Sequence, residues 1–371
     1  MSKRIILMYI SEISGHHSAT LAIEQAIKTL SPETKVLNIN TFNYTNPISE
    51  RFVNRLYMGI IKKTPRIWDY LYDNPRVHKK IEKIKGVIHR YNSPKLKILF
   101  DKFEPDVVAC SQAFPCGMVA DFKRIYNSDL PLVAVLTDYV LHSYWIYDKI
   151  DYYVTPSSEV THRLMAKGVA SQYIKPLGIP FDPKFNQPVN RQQVFKKYKL
   201  NPHLPVILIM GGGQGIGPIK TAVSALDKSK TELQKIVVAG VNKKLYRQVR
   251  RKIKHCKKKT LLLGYVDNIE ELMSISSIIV TKPGGITTAE ALAKALPMIL
   301  IKPIPGQEES NTAYLTEKGA AIRLDNLKNL NIIVEDLLAN PHKLRSLSER
   351  ASQISKPNAS LDIARLLLSL C

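Results

Sequence analysis

The sequence predicts an α/β fold built from two Rossmann-like, doubly wound domains with a cleft between them, and three observations carry that expectation. Short β-rich runs alternate with helical patterns from end to end, the signature of parallel sheets covered by helices. The 371 residues exceed one ordinary hydrophobic core and suit two. Between Pro176 and Pro188 the stretch P-L-G-I-P-F-D-P-K-F-N-Q-P interrupts any regular element with four prolines and a glycine. The expected domains are therefore 1–180 and 188–371, with the last helix free to pack back on the first.

The first strand is Arg4 to Ile10. Its apolar run, I-I-L-M-Y-I, is too short for the core of a signal peptide, so none is expected, and no window is apolar enough for a transmembrane helix. The chain then turns through S-E-I-S-G-H-H-S-A-T, Ser11 to Thr20, into a helix. Further strands are expected at Lys35 to Asn40, Asp106 to Cys110, Leu132 to Thr137, Tyr152 to Thr155 and Tyr173 to Pro176. The second half repeats the scheme at Pro205 to Met210, Lys235 to Ala239, Thr260 to Gly264, Ser277 to Thr281 and Met298 to Ile301. No period of 20 to 50 residues marks a solenoid.

Charge and cysteine content narrow the classes. With 54 Lys and Arg against 31 Asp and Glu, the net charge of +23 calls for a polyanionic partner, either nucleic acid or an anionic membrane face. The densest basic run, Lys243 to Lys259, reads as a helix with a cationic face; a second lies between Lys79 and Lys97. Four cysteines in so long a chain, with no C-x-x-C pair, are neither a disulfide framework nor a metal cluster, which points to a reducing cytosol.

In doubly wound sheets, ligands bind outside the carboxyl ends of the strands. Besides the opening stretch Ser11 to Thr20, four loops there carry unusual residues. M-G-G-G-Q-G-I-G-P, Met210 to Pro218, brings Gly213, Gln214 and Gly215 to the opening of a helix, where backbone amides can approach a phosphate. Its spacing is not that of a P-loop, and a tight turn would use the same glycines. T-K-P-G-G-I-T-T-A-E-A-L, Thr281 to Leu292, sets Pro283, Gly284, Gly285, Thr287 and Thr288 at a second helix start, with Glu290 one turn in and suited to a ribose diol. The plain alternative is a capping box of Thr287 and Glu290. One strand later, P-I-P-G-Q-E-E-S-N offers Gly306, Gln307, Glu308 and Asn311, a donor and acceptor set matched to hexose hydroxyls. The fourth loop, T-D-Y-V-L-H-S-Y-W, carries Asp138, His142 and Trp145.

Taken together, M-G-G-G-Q-G, T-K-P-G-G-I-T-T-A-E-A-L and I-K-P-I-P-G-Q-E-E-S-N resemble the monogalactosyldiacylglycerol synthase and processive diacylglycerol glucosyltransferase group of glycosyltransferase family 28, over nearly the whole chain. The resemblance implies a GT-B fold, with UDP-hexose held by the second domain and diacylglycerol by the first. It implies no cofactor and no obligatory metal, and helix termini would meet the departing diphosphate. Members of that group place a Gly-His pair in the first strand-to-helix loop; here it is Gly15-His16, which makes His16 the candidate base. Many relatives carry glycines before that histidine, where this chain has Glu12, Ile13 and Ser14. Asp138 is expected to orient the His16 ring or to touch the acceptor, and His17 to be structural.

Between Ile48 and Tyr72, Tyr57, Ile60, Ile61, Trp68 and Tyr72 alternate with Arg51, Arg55, Lys62, Lys63 and Arg66. Such a mixture lies in a lipid headgroup layer, or packs as an ordinary amphipathic helix on the sheet. With the lipid acceptor implied by the resemblance, the expectation is a peripheral, monotopic enzyme on the cytoplasmic face, its acceptor and membrane contacts including His142 and Trp145. Two other readings stand beside it. One is transfer of N-acetylglucosamine to a polyprenyl-linked peptidoglycan precursor. The other is a basic nucleic-acid-binding protein, for which no RNA-binding signature is present.

Overall fold

The computed structural model describes residues 2–45 and 92–371. The chain divides into two compact units: Met1–Pro183 with Ile304–Gln307 and Asn358–Cys371, and Lys184–Pro303 with Glu308–Pro357.

The first unit holds β1 (Arg4–Tyr9), β2 (Lys35–Asn40), β3 (Val107–Cys110), β4 (Leu132–Val135), β5 (Tyr152–Val154) and β6 (Ile174–Lys175) in one sheet of order β2-β1-β3-β4-β5-β6. Every pairing is parallel. Side chains alternate between its faces, and both faces are covered. Ile6, Met8, Val108, Cys110, Leu132 and Ala134 pack on one side with helix Ala113–Tyr126. Ile5, Leu7, Val107, Ala109, Val133 and Val135 pack on the other with Ile23, Ala26 and Ile27 of helix Gly15–Leu30. That second face is completed by Ile363, Ala364 and Leu367 of helix Ala359–Ser369, all fully buried.

The second unit holds β7 (Val206–Met210), β8 (Gln234–Val238), β9 (Thr260–Leu263), β10 (Ile278–Thr281), β11 (Met298–Ile301) and β12 (Ala321–Leu324). Their order, β12-β11-β10-β7-β8-β9, is the doubly wound Rossmann arrangement in which the strand sequence reverses between the first and fourth strands, β7 and β10. Thr281 pairs with Met210, so the loops that follow β10 and β7 leave the sheet side by side. β12 was not among the expected strands: Ala321-Ile322-Arg323-Leu324 is a short edge strand whose arginine faces outward, and it lacks the apolar run that marks its neighbours.

Within this unit, Lys235 of β8 is fully buried and donates to Asp227 Oδ1 at 2.8 Å. Asp227 also accepts from the amides of Lys257 and Lys258, each at 3.1 Å. Burial pushes the Asp227 carboxyl up, but the bond from Lys235 and the two amides outweigh it and bring its pKa down to about 2. The expected cationic helix is Lys243–Ile253, anchored by buried Leu245 and Val249. Among the described residues no helix is long and apolar enough to cross a membrane.

Candidate functional site

In the first unit the reversal of strand order falls between β1 and β3, and the site begins where those strands end. Ser11 leaves β1 at φ 72°, an uncommon backbone for a residue with a Cβ, and redirects the chain at once. Ser14 then caps helix Gly15–Leu30, its Oγ accepting from the His17 amide at 3.2 Å. His16 is thereby set in the first turn, beside the end of β3. Its Nδ1 donates to the carbonyl of Ser111 at 2.8 Å, and the Ser111 hydroxyl donates back to the His16 carbonyl at 3.0 Å. A carbonyl can only accept, so the proton sits on Nδ1 and the lone pair on Nε2. The Thr137 hydroxyl lies 3.1 Å from the same Nδ1. Burial lowers the His16 pKa, opposed by the Asp138 charge and by the bond to Ser111, so the ring is neutral at pH 7. As a whole residue His16 is half-buried.

His17 turns the other way. Its ring stacks on Tyr9 at 4.1 Å and its Nδ1 donates to the Glu12 carbonyl at 2.7 Å. Glu12 accepts from the Tyr9 hydroxyl at 2.7 Å and from Asn40 at 3.3 Å. Trp145, expected at the acceptor or membrane contact, is instead 4% exposed within the core of the first unit, and its carbonyl accepts from the Tyr153 hydroxyl at 3.1 Å. His142 lies beside it, half-buried, with ring centroids 6.0 Å apart. Tyr57, Ile60, Ile61, Trp68 and Tyr72 fall outside the described residues, as does most of the Lys79 to Lys97 cluster.

In the second unit, the glycines of the β7 loop divide into two groups. A Cβ on Gly211 would stand 2.0 Å from the Ile216 carbonyl oxygen, and one on Gly215 2.0 Å from that of Ala239. These two are demanded by packing, as the tight-turn alternative holds, and Asn242 donates to the Gly215 carbonyl at 3.0 Å to keep the loop closed. Gly213 differs: the first atom its Cβ would meet is on the exposed Tyr265 ring, at 3.9 Å. Gln214 is half-buried beside it.

The β10 loop leads into helix Gly285–Ala293, whose N-cap is Gly284, with no side-chain cap. The capping box of Thr287 and Glu290 is therefore absent, because the helix starts three residues earlier than that box requires. Gly284 has an ordinary φ of −72° and no atom within 4 Å of the Cβ position, so neither backbone nor packing asks for glycine there. Thr287 and Glu290 are half-buried on the first turns. Thr288, expected to face a ligand, is instead buried, its hydroxyl donating to the carbonyls of Gly284 and Gly285 at 3.1 and 2.9 Å. Asn311 is likewise buried and donates to the Pro283 carbonyl at 3.0 Å, which ties helix Gln307–Glu317 to the β10 loop. Gly306, at φ 90°, turns the chain toward that helix, where Gln307 and Glu308 are half-buried. Glu308 accepts from Lys282 at 2.6 Å.

The two kinds of glycine make a contrast that can be measured. Gly284→Ala should fold normally and weaken UDP binding by about 10-fold or more, the loss of close approach by one or two amides. Gly215→Ala should instead lower stability, because its Cβ has no space and its φ is 58°. Thermal unfolding and calorimetric titration with UDP in EDTA separate the two; equal UDP affinity in Gly284→Ala and wild type would remove Gly284 from the site.

Three residues of this geometry were not expected from the sequence. Ser111 acts through its backbone carbonyl, which no side-chain pattern announces; Tyr265 and Lys282 stood inside quoted or adjacent strand ends without distinguishing spacing. Among the described residues no group of three or more His, Cys, Asp or Glu side chains is placed to hold a metal.

Comparison with known proteins fits this arrangement. Residues 16–181 match the family model for monogalactosyldiacylglycerol (MGDG) synthase, and residues 206–366 match the glycosyltransferase family 28 C-terminal domain. The chain is 30% identical over 359 residues to the processive diacylglycerol beta-glucosyltransferase of Bacillus cytotoxicus, covering 96% of this chain and 90% of the relative. It is 29% identical over 364 residues to the enzyme of the same name from Bacillus subtilis, covering 97% and 93%. Among solved structures it resembles Acinetobacter baumannii MurG, with TM-score 0.64 at 14% identity and 99% of each chain covered. It also resembles Anabaena Alr3699/HepE in complex with UDP-glucose, with TM-score 0.57 at 15% identity and the same coverage. At these identities the solved structures speak to the fold, which is GT-B.

Proposed function

The chain belongs to the family of the processive diacylglycerol β-glucosyltransferases, within glycosyltransferase family 28, and on that premise we propose how its residues transfer a hexose from a UDP-sugar to diacylglycerol. The enzyme is a UDP-sugar-dependent hexosyltransferase that makes a glycolipid. Glucose is the donor sugar by analogy with the names of the relatives, and the product is a β-glycoside formed with inversion.

The observation that carries the donor assignment is the register of the second sheet. Met210 and Thr281 end β7 and β10 at one level, at the reversal of strand order, which supports a single ligand lying against the open positions at Gly213 and Gly284. Amides at these two openings meet the diphosphate, and Glu290, one turn into helix Gly285–Ala293, accepts from the ribose hydroxyls. Tyr265 offers an aromatic face to the base. Gln307 and Glu308 take the sugar hydroxyls.

In the first unit, His16 Nε2 accepts the proton of the diacylglycerol hydroxyl as its oxygen attacks the anomeric carbon on the face opposite UDP. The ring needs no prior deprotonation at pH 7, because burial has already made the neutral form the stable one. Asp138 and the Ser111 carbonyl stabilise the imidazolium as it forms. The transition state resembles an oxocarbenium ion, with negative charge growing on the leaving diphosphate.

The net charge of +23 supports work at the anionic cytoplasmic face of a membrane, where the lipid acceptor resides. The defining experiment is a donor screen: purified protein with diacylglycerol and UDP-glucose, UDP-galactose or UDP-N-acetylglucosamine, with separation of the lipid products. Glucosyldiacylglycerol is expected, and product from UDP-N-acetylglucosamine alone would overturn the reading. In the same assay Glu290→Ala should raise the donor KM by about 10-fold or more with a smaller change in kcat, the signature of lost ground-state binding. An unchanged donor KM would detach Glu290 from the ribose.

A further inference from the structure

One ion pair lies at the donor loops, and its lysine has no role in the assignment above. Lys282 follows β10 directly, and its stem runs past Gly217 of the β7 loop, where a Cβ would stand 3.5 Å from Lys282 Cγ and 3.6 Å from Cδ. Its ammonium reaches Glu308 Oε1 at 2.6 Å, and the two side chains are only 11% and 18% exposed. The pair is not the sole tie between these segments, because buried Asn311 also joins helix Gln307–Glu317 to the Pro283 carbonyl. A largely buried ion pair is by itself weak evidence for stability, and a switch role is a well-attested use of one. The Lys282 stem lies where both loops open: Gly217 precedes helix Ile219–Leu226 and Lys282 precedes helix Gly285–Ala293, and neither helix has a side-chain cap.

We propose that Lys282 is a phosphate-binding residue held in reserve, its charge neutralised by Glu308 in the free enzyme and passed to the β-phosphate when a nucleoside diphosphate sugar enters. The inference rests on the donor-site reading above and deepens it. A lysine suits the exchange better than an arginine would, since a compact ammonium with rotatable donors changes partners without rebuilding a planar fork. The exchange also frees the Glu308 carboxylate to accept from the sugar hydroxyls, so one rearrangement ties recognition of the diphosphate to recognition of the hexose. As the glycosidic bond breaks, charge accumulates on the β-phosphate, and the bond from Lys282 is stronger in the transition state than in the ground state.

The test uses the full chain and calorimetric titration with UMP, UDP and UDP-glucose on the wild type and on Lys282→Met, Lys282→Arg and Glu308→Gln. Lys282→Met should weaken UDP by about 10- to 100-fold, the worth of one hydrogen bond to a charged group, and leave UMP, which has no β-phosphate, unchanged. Lys282→Arg should recover most of the UDP affinity. Glu308→Gln removes the competing charge, so UDP should bind more tightly while kcat with UDP-glucose falls. Equal losses for UMP and UDP in Lys282→Met would mean a damaged loop, and unchanged UDP affinity would mean a bystander; either overturns the proposal, as does weaker UDP binding in Glu308→Gln. Failure of the donor-site reading looks different, since there the wild type itself binds neither UMP nor UDP.

Discussion

Replacing His16 with alanine lowers kcat by about two to four orders of magnitude and leaves UDP affinity at the wild-type level. The size is that of a positioned general base, and the separation follows from the fold, because His16 belongs to the first unit while the β7 and β10 loops belong to the second. The same residue sets the acid limb of the pH profile. Only the neutral ring can accept a proton, and burial lowers its pKa from the ordinary value near 6.5, against the pull of Asp138 and Ser111. The rate is therefore flat through neutrality and falls only on the acid side of about pH 6.5. Asp138→Asn removes a charge that raises the His16 pKa, so its acid limb moves to lower pH, whereas a purely structural Asp138 would leave the limb in place. Steady-state kinetics with diacylglycerol in mixed micelles measures both. Wild-type turnover in His16→Ala would end the assignment of the base.

Asp227→Ala is the change with the largest expected effect on stability. It strands the fully buried ammonium of Lys235 and unpairs the amides of Lys257 and Lys258. Breaking such a pair from one side costs about 3–5 kcal/mol, read as a lower urea midpoint. The double change Asp227→Ala with Lys235→Met should recover much of the loss, because no buried charge is left without a partner. The pH dependence has a definite sign. The unfolded carboxyl titrates near 3.9 and the folded one at about 2, so between those values the unfolded chain takes up the proton first. The contribution of Asp227 is thus complete above about pH 4 and disappears as pH falls toward 2. A double variant no more stable than Asp227→Ala would show that the loss came from the amides rather than from the lysine.

The alternation of strand and helix was legible because buried parallel strands are written as runs such as I-I-L-M-Y-I and V-I-L-I-M, apolar on both faces. β12 was not, because an edge strand with an outward arginine has no such run. Of the site, the loops were legible and the division of labour within them was not. Gly215 and Gly284 look alike in sequence, yet one is required by the Ala239 carbonyl and the other by nothing inside the protein. The Thr287 to Glu290 spacing fits a cap that the helix does not form, since its start was displaced to Gly285. Trp145 was expected with His142 at the acceptor or membrane contact, and only tertiary packing turns its ring into the core. The tautomer of His16 depends on a carbonyl about a hundred positions away, a backbone group that every residue type carries equally.

Helix Ala359–Ser369 closes one face of the sheet that begins at Arg4. During synthesis at roughly 5–20 residues per second, Ile5 and Leu7 thus leave the ribosome many seconds before Ile363 and Leu367 arrive to cover them. For that interval the nascent amino-terminal sheet is sticky and incomplete, a client for chaperones. Completion of that sheet waits for a helix made after every one of its strands, and separating the chain at the proline-rich junction would leave the first unit with this flank bare.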